Sequence, residues 1–163
     1  MVGFLERLHS PERPVLVFDG ATGTSLQQME LTAVDFGGSA LEGCNEILVR
    51  TRPDVVRAVH KQFLDAGCDV IETNTFGSTS LVLAEYDLEN EAFELNRQAA
   101  LLAREMADQY TTDQHPRYVA GSMGPTTKLP SLGHVSFDVM KACFTEQALG
   151  LLAGNVDLFI IET

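Results

Sequence analysis

The sequence predicts an α/β fold built on parallel strands. Four short segments share one design: "VLVFDG" (Val15 to Gly20), "DVIETNT" (Asp69 to Thr75), "YVAGSMG" (Tyr118 to Gly124) and "DLFIIET" (Asp157 to Thr163) each run apolar and then stop in polar or glycine residues. Their apolarity is continuous rather than alternating, as in strands covered on both faces. Helical stretches separate them, so the order is strand, long loop, helix, strand, helix, strand, helix, strand. That is the βαβ alternation with right-handed crossovers.

Each helix carries its own punctuation. "PDVVRAVHKQFLDAG" begins with Pro53 in its first turn, sets Val55, Val59 and Phe63 on one stripe, and ends at Gly67. "NEAFELNRQAALLAREMADQY" aligns Leu95, Ala99, Leu102, Ala103 and Met106, with acidic residues early and Arg97 and Arg104 on the other side. "SFDVMKACFTEQALGLLAGN" has Ser136 as its N-cap, a stripe of Met140, Cys143, Phe144, Ala148, Leu151 and Leu152, and Gly154-Asn155 as its stop. Two loops exceed what a connection needs, Gly20 to Arg52 and Met123 to Val135. Both follow strand ends, where α/β proteins place ligand sites.

Composition narrows the function classes. The chain has 163 residues, one domain's worth, with 45% hydrophobic and 21% charged residues, which is ordinary for a globular protein. A net charge of -12 opposes non-specific attraction to nucleic acid or anionic lipid. No apolar run reaches the length of a membrane span, and the N-terminus, with two Glu, lacks a signal-type apolar core, so a cytoplasmic protein is expected. Cys44, Cys68 and Cys143 are odd in number and lack paired spacing, which signals neither a disulfide framework nor a zinc site.

The polar residues at the four strand ends converge on one rim: Asp19; Glu72 with Thr73, Asn74 and Thr75; Ser122; and Glu162 with Thr163. Carboxylates from three strands at one end call for a cation, donors or raised pKa values, and so for a ligand. Asp19 and Glu162 are the stronger candidates, because each sits one step past its apolar run. Glu72 stays open between ligand contact and a structural ion pair. "DGATGTS" (Asp19 to Ser25) makes a turn rich in N–H groups able to hold a carboxylate or phosphate, without the lysine of a nucleotide loop. His60 reads as a boundary residue on its helix, and His134 lies in a loop that could approach the rim. No nucleophile, base and orienter triad is present.

The stretches "VLVFDGATGTSLQQM", "LEGCNEILVRTRPDVVRAVHKQFLDAGCDVIETNTFGST", "YVAGSMGPT" and "IIET" resemble the homocysteine-binding module of the cobalamin-dependent methionine synthases and, more widely, the homocysteine S-methyltransferase family. The resemblance runs from Leu5 to Thr163. It implies a (β/α)₈ barrel, a fold of typically ~250 residues, of which residues 1–163 would be the N-terminal half, about four βα units. It also implies methyl transfer from methylcobalamin or 5-methyltetrahydrofolate to homocysteine, giving methionine.

Carried onto this sequence, the resemblance implies that Asp19 and Glu162 hold the homocysteine ammonium and that the turn of Gly20, Ala21, Thr22 and Gly23 holds its carboxylate. Asn74 and Thr75 would line the pocket. Zinc and cobalamin are the implied cofactors, with the zinc held by cysteines on later strands and no metal ligand in this chain. An incomplete barrel is expected to be inactive alone, and to need its missing C-terminal half or to self-associate. Two other readings remain open: a non-catalytic half barrel that assembles with a partner chain, and an aldolase- or hydrolase-like α/β domain using Mg²⁺ at the strand-end carboxylates.

Overall fold

The computed structural model describes residues 3–12 and 14–163. The element order is α1 (Phe4–Leu8), α2 (Thr22–Gln27), α3 (Leu48–Thr51), α4 (Pro53–Ala66), β1 (Val70–Glu72), α5 (Ser80–Leu83), α6 (Ala92–Tyr110), β2 (Tyr118–Met123), α7 (Phe137–Ala153) and β3 (Leu158–Ile161). The strands form one parallel sheet ordered β1-β2-β3, with Val70 opposite Tyr118 and Ala120 opposite Leu158. A parallel α/β fold is therefore what these residues build.

The first expected strand differs. Among the described residues Val15 to Gly20 contributes a single parallel bridge, Phe18 to Val70. The cause lies in its neighbours, because side chains occupy two places of the backbone ladder. Val17 N–H donates to the Asp69 carboxylate at 2.8 Å, and Glu72 N–H donates to the Asp19 carboxylate at 2.9 Å. Only Asp19 N–H to Val70 O, at 2.9 Å, and the bonds of Asp69 and Val70 N–H to Val17 O keep the backbone pattern. Val15 and Val17 remain exposed on this outer side.

The helices form where their punctuation places them. Pro53 opens α4, and Gly67 closes it in the left-handed conformation (φ 99°) that glycine adopts freely. Ser136 caps α7 by accepting from Val139 N–H at 3.2 Å. On α6 the stripe Leu95, Ala99, Leu102, Ala103 and Met106 is buried in the main core.

Two sequence expectations are corrected. On α7 the buried line is Cys143, Gln147, Gly150 and Leu151, while Leu152 is exposed. This helix is apolar on more than one side, so periodicity did not single out the face that meets α6. Glycines decide it: an added Cβ on Gly150 would lie 2.5 Å from Phe93 O and 2.9 Å from Asn96 Cβ. His60 is not a boundary residue but fully buried, and neither ring nitrogen finds a partner among the described residues. The loop Gly20 to Arg52 also contains α2 and α3, which its turn-rich composition hid.

An aspartate recurs at the foot of two strands. Asp157 and Val119 exchange backbone and side-chain bonds (Asp157 N–H to Val119 O, 2.8 Å; Val119 N–H to Asp157 Oδ2, 2.7 Å), as Asp69 and Val17 do. These bonds set the parallel register, and the register brings the opposite strand ends together.

Candidate functional site

The carboxyl ends of the strands and the turn after Asp19 surround a cavity of about 470 Å³. Its lining comprises the turn of Gly20, Ala21, Thr22 and Gly23, the Asn45-Glu46 pair, the run from Glu72 to Phe76, Ser122 and Glu162. The structure thus brings together seven of the eight residues that the resemblance assigns to the substrate. Asp19 is the exception: it stands next to the cavity with Oδ2 on Glu72 N–H, while its buried Oδ1 has no partner among the described residues. Thr163 and His134 do not line the cavity, and His134 Nδ1 instead accepts from Leu129 N–H at 3.3 Å.

A closed hydroxyl ring holds the floor. Ser122 N–H donates to Thr73 Oγ1 at 3.0 Å and Thr75 Oγ1 donates to Ser122 O at 2.7 Å. With those bonds made, the 2.6 Å contact between the two threonine oxygens has Thr73 as donor. The Thr75 carbonyl accepts from Gln147 Nε2 at 2.8 Å, so both polar groups of Thr75 are committed to the frame. Ser122 Oγ in turn bonds Glu162 Oε1.

Two loops are stitched at the other wall. Asn74 Nδ2 donates to Asn45 O at 2.7 Å, and Gly77 N–H donates to Glu46 Oε1 at 2.9 Å. Gly77 leaves room for this bond, since an added Cβ would fall 2.8 Å from that oxygen and push the Glu46 carboxyl aside. The following turn carries Phe76, the one large apolar side chain of the lining, backed by Gly124 whose N–H bonds Phe76 O at 3.0 Å. Asn45, Glu46 and Phe76 had no assigned role from the sequence. Their signal was the GCNE and ETNTF stretches, which place polar and aromatic residues beside glycine turns.

The electrostatics are one-sided. Glu46, Glu72 and Glu162 line the cavity, and among the described residues no Lys, Arg or His does. Burial, together with the neighbouring Glu72 and Glu162 charges, raises Asp19 to about 7 against the lowering bond from Glu72 N–H. Burial first, then the Glu162 carboxyl facing it, raises Glu72 to about 7. Glu46 is also raised by burial, although Gly77 N–H opposes the shift. A site that holds several acids against their preference for ionising is built for a cation. Opposite in kind, the backbone N–H groups of Gly20 to Gly23 meet no protein acceptor among the described residues.

The cysteines do not make a metal centre. All three are free and buried on separate segments, and burial raises the Cys44 and Cys68 thiols to about 11 and also raises Cys143, which favours the protonated form over the thiolate that zinc takes. Among the described residues no group of three or more His, Cys, Asp or Glu side chains is placed to hold a metal ion. These residues therefore do not fit the zinc that the resemblance implies.

Fold and site define the class: an α/β protein of parallel strands whose ligand cavity opens at their carboxyl ends, with an acid-rich wall and a glycine turn. The chain belongs to the homocysteine S-methyltransferase family, whose model matches residues 16–163. It is 50% identical over 149 residues to the methionine synthase of Mycobacterium leprae (strain TN) and 48% identical to that of Mycobacterium tuberculosis (strain ATCC 25618 / H37Rv). Each match covers 91% of this chain and 12% of the relative, so the chain spans a small part of their length. Its fold is similar to that of the homocysteine methyltransferase MmuM from Escherichia coli. The oxidized form has a TM-score of 0.73 at 23% identity, covering 94% of this chain and 55% of that one. The metallated form also gives 0.73, at 22% identity.

Proposed function

We propose that this chain supplies the homocysteine-binding strand ends of a methionine-forming methyltransferase, in which a methyl group passes from methylcobalamin or 5-methyltetrahydrofolate to the homocysteine sulfur. Family membership and the methionine synthase relatives support the reaction class. The observation that carries the reading is the cavity itself: among the described residues, carboxyls without a basic side chain share one lining with a glycine turn whose N–H groups have no protein acceptor. Donors for a carboxylate and acceptors for an ammonium recognise an amino acid zwitterion.

In this reading Glu162 meets the ammonium directly and Asp19 adds negative potential from behind Glu72. Gly20, Ala21, Thr22 and Gly23 hold the carboxylate, while Asn74 and Thr75 form the wall. The chain contributes about four units of an eight-unit barrel. Exposed Val15 and Val17 on one outer side, and Phe159 and Ile161 on β3, are surfaces that the C-terminal half barrel or a second copy would cover. Zinc belongs with that other half, since the cysteines here do not fit it, and cobalamin serves as methyl donor. No described helix is long and apolar enough to cross a membrane, and free thiols are in keeping with the cytoplasm.

Isothermal titration of the chain with homocysteine tests the reading. One-site binding is expected, weakened about tenfold or more in Glu162→Gln, where one buried charge-assisted contact is lost. Failure of the wild-type chain to bind, or equal binding by the variant, would overturn it. Stabilisation by Mg²⁺ with no homocysteine binding would favour a metal-dependent α/β domain instead.

A further inference from the structure

The turn from Thr75 to Ser78 follows β1 and carries Phe76 into the cavity lining. Its backbone is held from four distant segments. Gly77 N–H donates to Glu46 Oε1 at 2.9 Å, and Phe76 O accepts from Gly124 N–H, just after β2, at 3.0 Å. The other two bonds come from helices: Gln147 Nε2 of α7 donates to Thr75 O at 2.8 Å, and Asn96 Nδ2 of α6 donates to Ser78 O at 2.7 Å. A main-chain carbonyl can only accept, so in both cases the amide nitrogen is the atom that must face the turn.

Packing alone does not account for these two amides. Both side chains are fully buried, Asn96 against Gly150 of α7, whose added Cβ would lie 2.9 Å from Asn96 Cβ. Gln147 Oε1 and Asn96 Oδ1 have no partner among the described residues. An apolar side chain at either place would leave no acceptor buried, so the amides persist against a desolvation cost. Asn96 Nδ2 also reaches Ala92 O at 2.7 Å, one turn back on its own helix. The Gln147 side chain, by contrast, has Thr75 O as its one partner among the described residues.

What Gln147 holds leads to the acids of the cavity. Thr75 Oγ1 donates to Ser122 O at 2.7 Å, and Ser122 Oγ bonds Glu162 Oε1. The same turn fixes the Phe76 ring, which has no slack on the side of Gly124: a Cβ there would fall 2.7 Å from two of the ring carbons. We infer that Gln147 is a positioning residue for the ligand cavity, with Asn96 in support. Its bond to Thr75 O sets the turn that places Phe76 and, through Thr75 and Ser122, steadies Glu162, so the cavity is already shaped when an amino acid enters. This inference rests on the amino-acid-binding reading above.

The test uses the chain, homocysteine and two substitutions at one position. Gln147→Met keeps the length of the side chain and removes its donor. Thr75 O retains Ser78 N–H at 3.0 Å, so no backbone group is stranded and the urea midpoint should stay at or above that of wild type. Homocysteine affinity at pH 8, by isothermal titration, should nonetheless fall about tenfold, and hydrogen exchange at the Ser78 and Gly124 amides should accelerate. Gln147→Glu supplies the donor only when protonated, so its affinity should approach that of wild type at pH 6 and fall away as pH rises, while Gln147→Met stays weak throughout. Equal binding by wild type and Gln147→Met, whatever the midpoint does, overturns this inference and leaves the functional reading intact. So does a Gln147→Glu chain as weak at pH 6 as Gln147→Met. Failure of the wild-type chain to bind homocysteine sinks both.

Discussion

Asp19 Oδ2 accepts the backbone N–H of Glu72 at 2.9 Å, where a continued strand would offer a carbonyl. One carboxylate thus ends the pairing of the first segment, lets the chain turn into Gly20, and sets its charge beside the cavity. The turn is available to a ligand because a side chain has replaced the ladder.

That position has a cost in stability. Because Asp19 ionises near 7 in the fold rather than at its ordinary 3.8, its contribution to stability is fully present below about pH 4 and is lost as pH rises through 7. Asp19→Asn keeps an oxygen for Glu72 N–H and removes the charge. The variant is expected to be more stable than wild type at pH 8, by on the order of 3 kcal/mol, with little difference at pH 4. Urea denaturation at both pH values measures this, and a variant destabilised at pH 8 would contradict it.

His60 acts in the opposite direction. Burial lowers its pKa from 6.5 to about 4, so the fold resists its protonation. Stability from the neutral ring is present above about pH 6.5 and is lost as pH falls towards 4, by on the order of 3 kcal/mol. His60→Leu, similar in volume and without a titrating group, should flatten this acid limb. The urea midpoints of both proteins between pH 7 and 4.5 provide the comparison, and parallel losses would rule the ring out.

The contact of α6 with α7 depends on two small residues. A Cβ on Gly154 would collide with Ala100 Cβ and lie 2.7 Å from Arg97 O, while one on Gly23, in the cavity turn, meets nothing within 4 Å. Gly150→Ala and Gly154→Ala should each cost about 1 to 3 kcal/mol, whereas Gly23→Ala should leave stability unchanged within about 0.5 kcal/mol. Thermal unfolding of the three variants separates close packing from open space.

Asp157 supports the register of β3 from its foot. Its carboxylate holds Val119 N–H and Arg104, so Asp157→Ala strands a buried donor and should cost about 1 to 3 kcal/mol. Hydrogen exchange at the Val119 amide should accelerate with it. Unchanged protection there would show that the side chain does not hold the strand.

Much of this design was readable without coordinates. Continuous apolar runs between punctuated helices specify parallel strands, since both faces must be covered, and Pro53, Gly67 and Ser136 mark helix ends through local backbone chemistry. The convergence of polar strand ends follows from parallel order alone, so Asn74, Thr75 and Glu162 could be placed at the cavity in advance. The turn after Asp19 was legible for the same local reason.

What the sequence by itself determined, then, was whatever depends on neighbours along the chain: element type, helix caps, and which strand ends carry acids. Tertiary structure decided what depends on register and close approach. Side chains alternate across a strand, so one residue of slip would turn an end residue such as Glu162 away from the cavity, and the register of β3 on β2 is held by Asp157 on Val119 N–H. The same long-range bonding drew Asp19 onto Glu72 N–H, brought Glu46 from a loop to Gly77, and chose the face of α7 through Gly150 and Gly154. Such contacts join residues tens of positions apart, and no local pattern encodes which of them will meet.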